Sequence, residues 1–224
     1  MKNNKKSVLL NKANVLAAVQ HYANTHPSDI SDHLLAIAQE TITIQPTLIV
    51  ELGVRSGEST FALAQVAQYV SSALLSVDHV NCDSVCSYSE WTFVQADSVQ
   101  FAKRFPQWCQ EYWGATRSSD ERNPIDIDVW MLDTCHQPEM TRREILAWLP
   151  FVRQGGIMIF HDTNKPDRGV IQAIEKHLLE VALGTLDEKA AFVRGFQTST
   201  GYYVVKHYPH SYGLAIIHRI SKRS

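Results

Sequence analysis

Cysteine is scarce in this chain. Cys82, Cys86, Cys109 and Cys135 are the only four, with no CxxC pair and no zinc-ligand spacing. A disulfide framework and a structural zinc site are thereby set aside, and reduced thiols of a cytoplasmic protein are expected. Long apolar runs are missing too: none approaches the ~18 residues of a membrane span. The opening MKNNKKSVLLNKAN is basic, but Asn11 and Lys12 interrupt its apolar stretch before signal-peptide length. Neither sign of charge dominates, since 21 Lys and Arg face 23 Asp and Glu for a formal net charge of −2. Nucleic acid is therefore not favoured as the main partner. The glycine fingerprint GxGxxG is also absent, which removes the usual dinucleotide turn.

What remains is an ordinary globular composition. The 224 residues are 45% apolar and 20% charged, enough for one full α/β core with an N-terminal addition. Residues 11–25 and the segment from His26 to Ile42 carry apolar positions at helical spacing, with Pro27 and Ser28 suited to a helix start. Residues 1–46 are thus expected to be a helical segment, serving as a lid or a homodimer contact, ahead of a domain over 47–224. From Thr47 onward, apolar strands alternate with helices. Strands are predicted at 47–52, 73–78, 92–97, 127–133 and 155–162. Helices are predicted at 58–70, over SVQFAKRFPQWCQEY (98–112) with a kink or an end near Pro106, at 138–149 and at 168–183. Near-continuous apolar strands alternating with helices indicate a parallel sheet covered on both faces. The tail departs from this rhythm. GYYVVKHY (201–208) and YGLAIIHR (212–219) are joined too closely for a helical crossover and should form an antiparallel hairpin.

Ligands of such sheets bind at the carboxyl ends of the strands. This sequence sets an acid or a polar pair at each one: Glu51, Asp78, Asp97, Asp133 and His161-Asp162. The first turn, LIVELGVRSGEST, reads ExGxxxG, with Glu51 ahead of Gly53 and Gly57. An acid there repels a pyrophosphate and suits an amine-bearing ligand. Asp78 is placed to accept both hydroxyls of a ribose, and Asp97-Ser98 to hold an adenine amino group. The two glycines are equally consistent with a tight packing turn.

These segments together resemble class I S-adenosylmethionine (SAM)-dependent methyltransferases. VELGVRSGEST resembles the family's first motif, SVDHV its ribose-binding acid and QADS its adenine motif. The stretch from DVWMLDTCHQPEM to RQGGIMIFHDT is similar to a branch that includes small-molecule O-methyltransferases and cephalosporin-hydroxylase relatives. The resemblance covers residues 47–165 well and the terminal GLAIIHR weakly. It implies a Rossmann-like, doubly wound, seven-stranded sheet, mostly parallel with an antiparallel C-terminal hairpin. It implies SAM as cofactor, held by Glu51, Gly53, Ser56, Gly57, Ser59, Asp78, His79, Asp97, Ser98 and Asp133. It implies methyl transfer to a hydroxyl of a small molecule, with His161, His136 and Asp133 as the catalytic candidates.

Either histidine has a suitable range for a general base, and either is equally consistent with bonding backbone or cofactor. Some relatives bind a divalent ion with an acid after the fourth strand and two polar residues after the fifth. Asp133, His161 and Asp162 match those positions. His161 stands where relatives commonly carry a carboxylate, so Mn, Fe or Zn suits the set better than Mg. Asp162 alternatively caps its own turn. Two other readings stay open: a SAM-binding member of a biosynthetic complex that transfers no methyl group, and a nicotinamide-binding Rossmann protein. His21, His26, His33 and His177 are expected at the surface, and the basic ends as solvated tails.

Overall fold

The computed structural model describes residues 11–113, 125–165 and 169–220. The basic ends expected as tails lie largely outside the described residues. Two helices come first, α1 (Lys12–Thr25) and α2 (Leu34–Ile44), joined through a 3-10 turn at Ser31–His33. Then follow β1 (Leu48–Leu52), α3 (Glu58–Val70), β2 (Ala73–Asp78), β3 (Trp91–Gln95), α4 (Ser98–Trp113), β4 (Ile127–Leu132) and α5 (Pro138–Trp148). The chain continues through β5 (Val152–His161), α6 (Val170–His177), β6 (Phe192–Gln197), β7 (Tyr202–Tyr208) and β8 (Leu214–Ile220). The strands form one sheet in the order β3-β2-β1-β4-β5-β8-β7-β6. The first five pair in parallel, whereas β8 is antiparallel to both β5 and β7.

Alternation along each buried strand divides the core into two layers. Leu48, Val50 and Leu52 face Phe101 and Phe105 of α4, Ile145 and Trp148 of α5, and Ile171 and Ile174 of α6. Ile49 joins Val129, Ile157, Ile159 and Ile216 on the opposite face, against α3 and the N-terminal helices. Val15, Val19, Leu34 and Ile37 are fully buried there. The first two helices are thus part of the core layer over that face.

The sheet has eight strands, where seven are expected from the sequence. The additional one is β6, which pairs antiparallel with β7 and makes the C-terminal hairpin a three-stranded meander. Its sequence FVRGFQ hides it: Gly195 interrupts the strand, and Val193 is 70% exposed at the sheet edge. The Tyr202 side chain fills the space a Cβ on Gly195 would need. Of the two readings of α4, a stop at Pro106 is excluded, and the end of α6 differs from expectation. The α4 helix runs through Pro106, because Phe101, Phe105, Cys109 and Trp113 form one buried stripe at four-residue spacing. That burial outweighs the ~3 kcal/mol cost of an internal proline. The α6 helix stops at His177, six residues short of the predicted end at 183. Its Glu175 carboxylate accepts from the Gly184 and Leu186 amides and folds the following chain back. Arg168 of the predicted helix lies outside the described residues.

Buried Asp128 on β4 ties the amino ends of three strands together. Its Oδ2 accepts from the Thr47 amide (2.7 Å), the Thr47 hydroxyl (2.9 Å) and the Leu48 amide (2.9 Å), while Oδ1 meets Arg153 of β5. Removing one partner of a buried pair strands the others. Asp128→Ala should lower unfolding free energy by about 3 kcal/mol in urea titrations. A loss within experimental error would show that solvent replaces the carboxylate at no cost.

Candidate active site

The strand order reverses between β1 and β4, and the crevice opens at their carboxyl ends. Gly53 follows β1 with φ +88°, and a Cβ there would sit 2.0 Å from the Asp133 carbonyl oxygen. Only glycine allows this contact. Beside it lies a cleft of about 590 Å³ lined by Gly53, Ser56, Asp78, His79, Asp97, Ser98 and Asp133, among others. Seven of the residues assigned to the cofactor from sequence are therefore brought together. Its walls also include Val54, Val77, Val80 and Met140, which make them largely apolar.

Three residues of the same assignment lie elsewhere. Glu51 is fully buried behind the turn. Its Oε1 accepts from Ser59 (2.6 Å), and its Oε2 from Thr60 (2.8 Å) and Ser76 (2.6 Å). The Trp91 indole in turn donates to the Ser76 hydroxyl at 2.9 Å. Ser59 is thus spent on Glu51. Gly57, at φ +90°, gives close passage to Val85 and does not line the cleft. None of the three faces the crevice, because strand parity turns Glu51 toward α3.

Asp78 braces the turn with both oxygens. Oδ2 accepts from the Val54 (2.7 Å) and Arg55 (3.2 Å) amides, and Oδ1 from the Val80 amide (2.9 Å). Burial pushes its carboxyl up, but the three amides outweigh that and hold it below the ordinary carboxylate range. Asp97 caps α4 by accepting from the Gln100 amide at 2.8 Å. Arg55 reaches Asp29 at 2.9 Å, with its side chain 72% exposed. Sequence reading gave no sign of Glu144, a buried residue of α5 on the cleft wall. It accepts from Ser98 (2.6 Å) and Thr134 (2.9 Å); burial raises its carboxyl despite those bonds.

At the far end, two carboxylates enclose one imidazole. His136 Nε2 lies 2.6 Å from Asp133 Oδ1, and His136 Nδ1 lies 3.0 Å from Asp162 Oδ2. His161 Nδ1 approaches the same Asp133 oxygen at 3.3 Å and Asp162 Oδ1 at 3.7 Å. Lys165 Nζ stands 3.7 Å from Asp162 Oδ1 and over the Tyr212 ring. Burial opposes ionisation of Asp133, but its bonds to His136 and His161 hold it far below the usual range. Burial pushes His161 down, and the Asp133 bond and charge more than reverse this, so its value is raised. His136 (φ 58°) and Asp162 (φ 59°) both have left-handed backbone, an unfavourable conformation for non-glycine residues that collects at working sites.

Two carboxylates facing one ring call for positive charge between them. Asp133, His136 and Asp162 each offer one ligand atom, and these atoms all lie within 4.8 Å of one another, so they fit a divalent ion. His136 thereby joins Asp133 and Asp162 in the tightest donor set, with His161 beside it. A mixed oxygen and imidazole set suits Mn, Fe or Zn better than Mg. His33, expected at the surface, is instead fully buried and meets the His161 ring edge-on at 5.6 Å.

A protein-family model described as a methyltransferase domain matches residues 50–163. Comparison with curated protein sequences gives no significant match. Among solved structures, the O-methyltransferase TomG from Streptomyces achromogenes, involved in tomaymycin synthesis and in complex with SAM, is 13% identical with a TM-score of 0.54. That match covers 96% of this chain and 93% of TomG. The O-methyltransferase from Bacillus cereus in complex with SAH is 13% identical with a TM-score of 0.52, over 96% and 94% of the two chains. MycE methyltransferase of the mycinamycin biosynthetic pathway, in complex with Mg, SAH and mycinamycin VI, is 13% identical with a TM-score of 0.54. That match covers 92% of this chain but only 54% of MycE. Likeness at such identities establishes the shared fold.

Glu51 makes a pH prediction of its own. Burial lifts its carboxyl from 4.5 to about 7, against the pull of three hydroxyl bonds. The folded chain then binds this proton more tightly than the unfolded chain does. Its contribution to stability should be greatest below pH 4.5 and decline by about 3 kcal/mol as pH climbs to about 7. Glu51→Gln keeps an acceptor oxygen without the charge and should flatten that decline in urea titrations at pH 5 and pH 8. A slope as steep as the wild type's would assign the titration to another group.

Proposed function

The chain belongs to the methyltransferase-domain family, and from that premise we propose that it is a SAM-dependent O-methyltransferase acting on a small-molecule hydroxyl. The observation that carries this reading is the cleft itself: Gly53, Asp78 and Asp97 line one continuous space that ends at Asp133, which bonds His161. Residues 47–220 would form the SAM-binding domain, with the segment before Thr47 covering its acceptor side. Asp78 would accept from the ribose hydroxyls while bracing the turn, and Gly53 and Ser56 would pass beside the methionine end. Asp97, Ser98 and Glu144 would meet the adenine.

SAM supplies an electrophilic methyl group, so the protein must position the acceptor and remove its proton. His161 is suited to that task. Its Nδ1 turns to Asp133, and its buried Nε2 has no hydrogen-bond partner. The tautomer with hydrogen on Nδ1 leaves a lone pair on Nε2. The hydroxyl proton passes to this nitrogen as the oxygen–carbon bond forms and the donor's sulfur–carbon bond breaks. Asp133 then balances the imidazolium. Asp133, His136 and Asp162 would hold a divalent ion, which would lower the pKa of a bound hydroxyl.

Isothermal calorimetry with SAH tests the reading first: no binding would end it. Asp78→Ala should weaken SAH binding by about 2 kcal/mol, through loss of the charged acceptor and of its hold on the turn. Unchanged affinity would remove Asp78 from the cofactor's contacts.

Methyl transfer from radiolabelled SAM to a panel of phenols and sugars tests the second half. His161→Ala should lower kcat/KM by roughly a hundredfold or more while SAH binding survives. In the wild type, His161 must be deprotonated to act, and its value is raised above 6.5. Activity should therefore rise with pH through a midpoint above 6.5. An ion between Asp133 and Asp162 would offset the charges that raise His161, so chelation should move that midpoint upward. A midpoint insensitive to His161 substitution would assign the base elsewhere.

A further inference from the structure

His33 occupies the 3-10 turn between α1 and α2 and has no exposed surface, yet neither ring nitrogen makes a well-aligned hydrogen bond, the His210 backbone lying near the ring. Its ring leans on His210 of the β7–β8 turn at 4.4 Å and meets His161 at 5.6 Å. His161 Nε2, also buried, lacks a partner as well. Buried polar atoms without partners are costly, and a leucine or phenylalanine would fill the same volume without them. Burial, then repulsion by His161 and His210, lowers His33 to about 4, only partly offset by the His210 backbone and Asp32. The ring is therefore neutral near pH 7, with one N–H and one lone pair.

A hydroxyl complements these two rings. It can give its hydrogen to the lone pair of His161 Nε2 and accept from the N–H of His33. An apolar group satisfies neither ring. The segment carrying His33 is clasped over this point by side chains alone. Asp29 holds the exposed Arg55 of the cofactor-side turn, and Asp32 accepts from Ser211 of the hairpin turn. Exposed pairs of this kind contribute little, so what holds the segment down is the burial of Ile30 and His33.

We propose that His33 is an acceptor-binding residue: segment 29–33 lifts to admit the acceptor, then closes so that His33 donates to the acceptor oxygen opposite His161. This rests on the reading of the chain as a hydroxyl methyltransferase. The alcohol would thus be selected by a donor from the N-terminal segment together with a proton acceptor from β5.

The test uses the full chain with histidine nitrogens labelled, saturated with SAH, and 1,2-dihydroxybenzene as the probe hydroxyl compound. Long-range nitrogen–proton spectra should show the His33 and His161 ring nitrogens shifting on addition of the probe. His33→Phe keeps the ring volume and should weaken probe binding about tenfold, with SAH affinity unchanged within about twofold. His33→Gln should recover part of the loss, and it serves with the wild-type spectra if the phenylalanine variant does not fold. Unmoved ring signals, whether or not the probe binds, overturn the proposal, as does wild-type probe affinity in both variants. Failure of SAH to bind the wild type would overturn the methyltransferase reading instead, a separate outcome.

Discussion

The geometry of the crevice depends on a backbone contact at Gly53. The Gly53 amide donates to the Val77 carbonyl at 2.9 Å, and the Asp133 amide donates to the Leu52 carbonyl at 2.9 Å. The carboxyl ends of β2, β1 and β4 are thereby locked in sequence across the switch point. A side chain at Gly53 would collide with the Asp133 backbone and drive β1 from β4. Asp78 would then lose its fixed relation to Asp133. One residue without a Cβ thus holds the Asp78 end of the crevice in register with the Asp133 end.

The acids near this junction have the same charge but different settings. Asp78 receives three amide bonds and stays ionised. Asp133 is ionised because imidazoles face it, and its charge in turn raises His161. Glu51, one layer behind, meets hydroxyls and no cation, so burial governs and its carboxyl rises to about 7. Negative charge is favoured at Asp78 and Asp133, where amides and imidazoles meet it, and disfavoured at Glu51 and Glu144, which meet hydroxyls.

Much of this was legible in the sequence. Apolar strands announced the parallel half of the sheet, and the acids just beyond them announced the crevice. Gly53, Asp78, Asp97, Ser98 and Asp133 fall where a strand-end reading puts them. Glu51 was misdirected by treating it as a strand-end residue. Within β1 it shares parity with Ile49, whose face packs against α3, and Ser59 and Thr60 of that helix meet it. Strict alternation would have turned it inward. The β6 strand escaped because its stability comes from β7 and the covering Tyr202, while its own residues carry a glycine and exposed positions. Glu144 escaped for the same kind of reason: nothing in TRREIL distinguishes a helix acid that will turn into a cleft.

The division between legible and illegible follows the way each half of the site is held. At the Gly53 end, Asp78 reaches Val54 and Arg55 across 24 and 23 residues, within a single strand–helix–strand unit. Such contacts are written into one continuous motif. At the His161 end, Asp32 and Ser211 are 179 residues apart, and His33 meets rings from β5 and the hairpin turn. No local pattern encodes those meetings. They arise only after α1 and α2 bury Val15, Val19, Leu34 and Ile37 against the sheet and bring the intervening turn to the crevice. The N-terminal helices therefore place this turn through apolar packing together with polar ties such as Glu40 to Lys206 and Asp32 to Ser211. A change in their apolar face would alter the His33 end of the crevice while leaving the Gly53 junction in place.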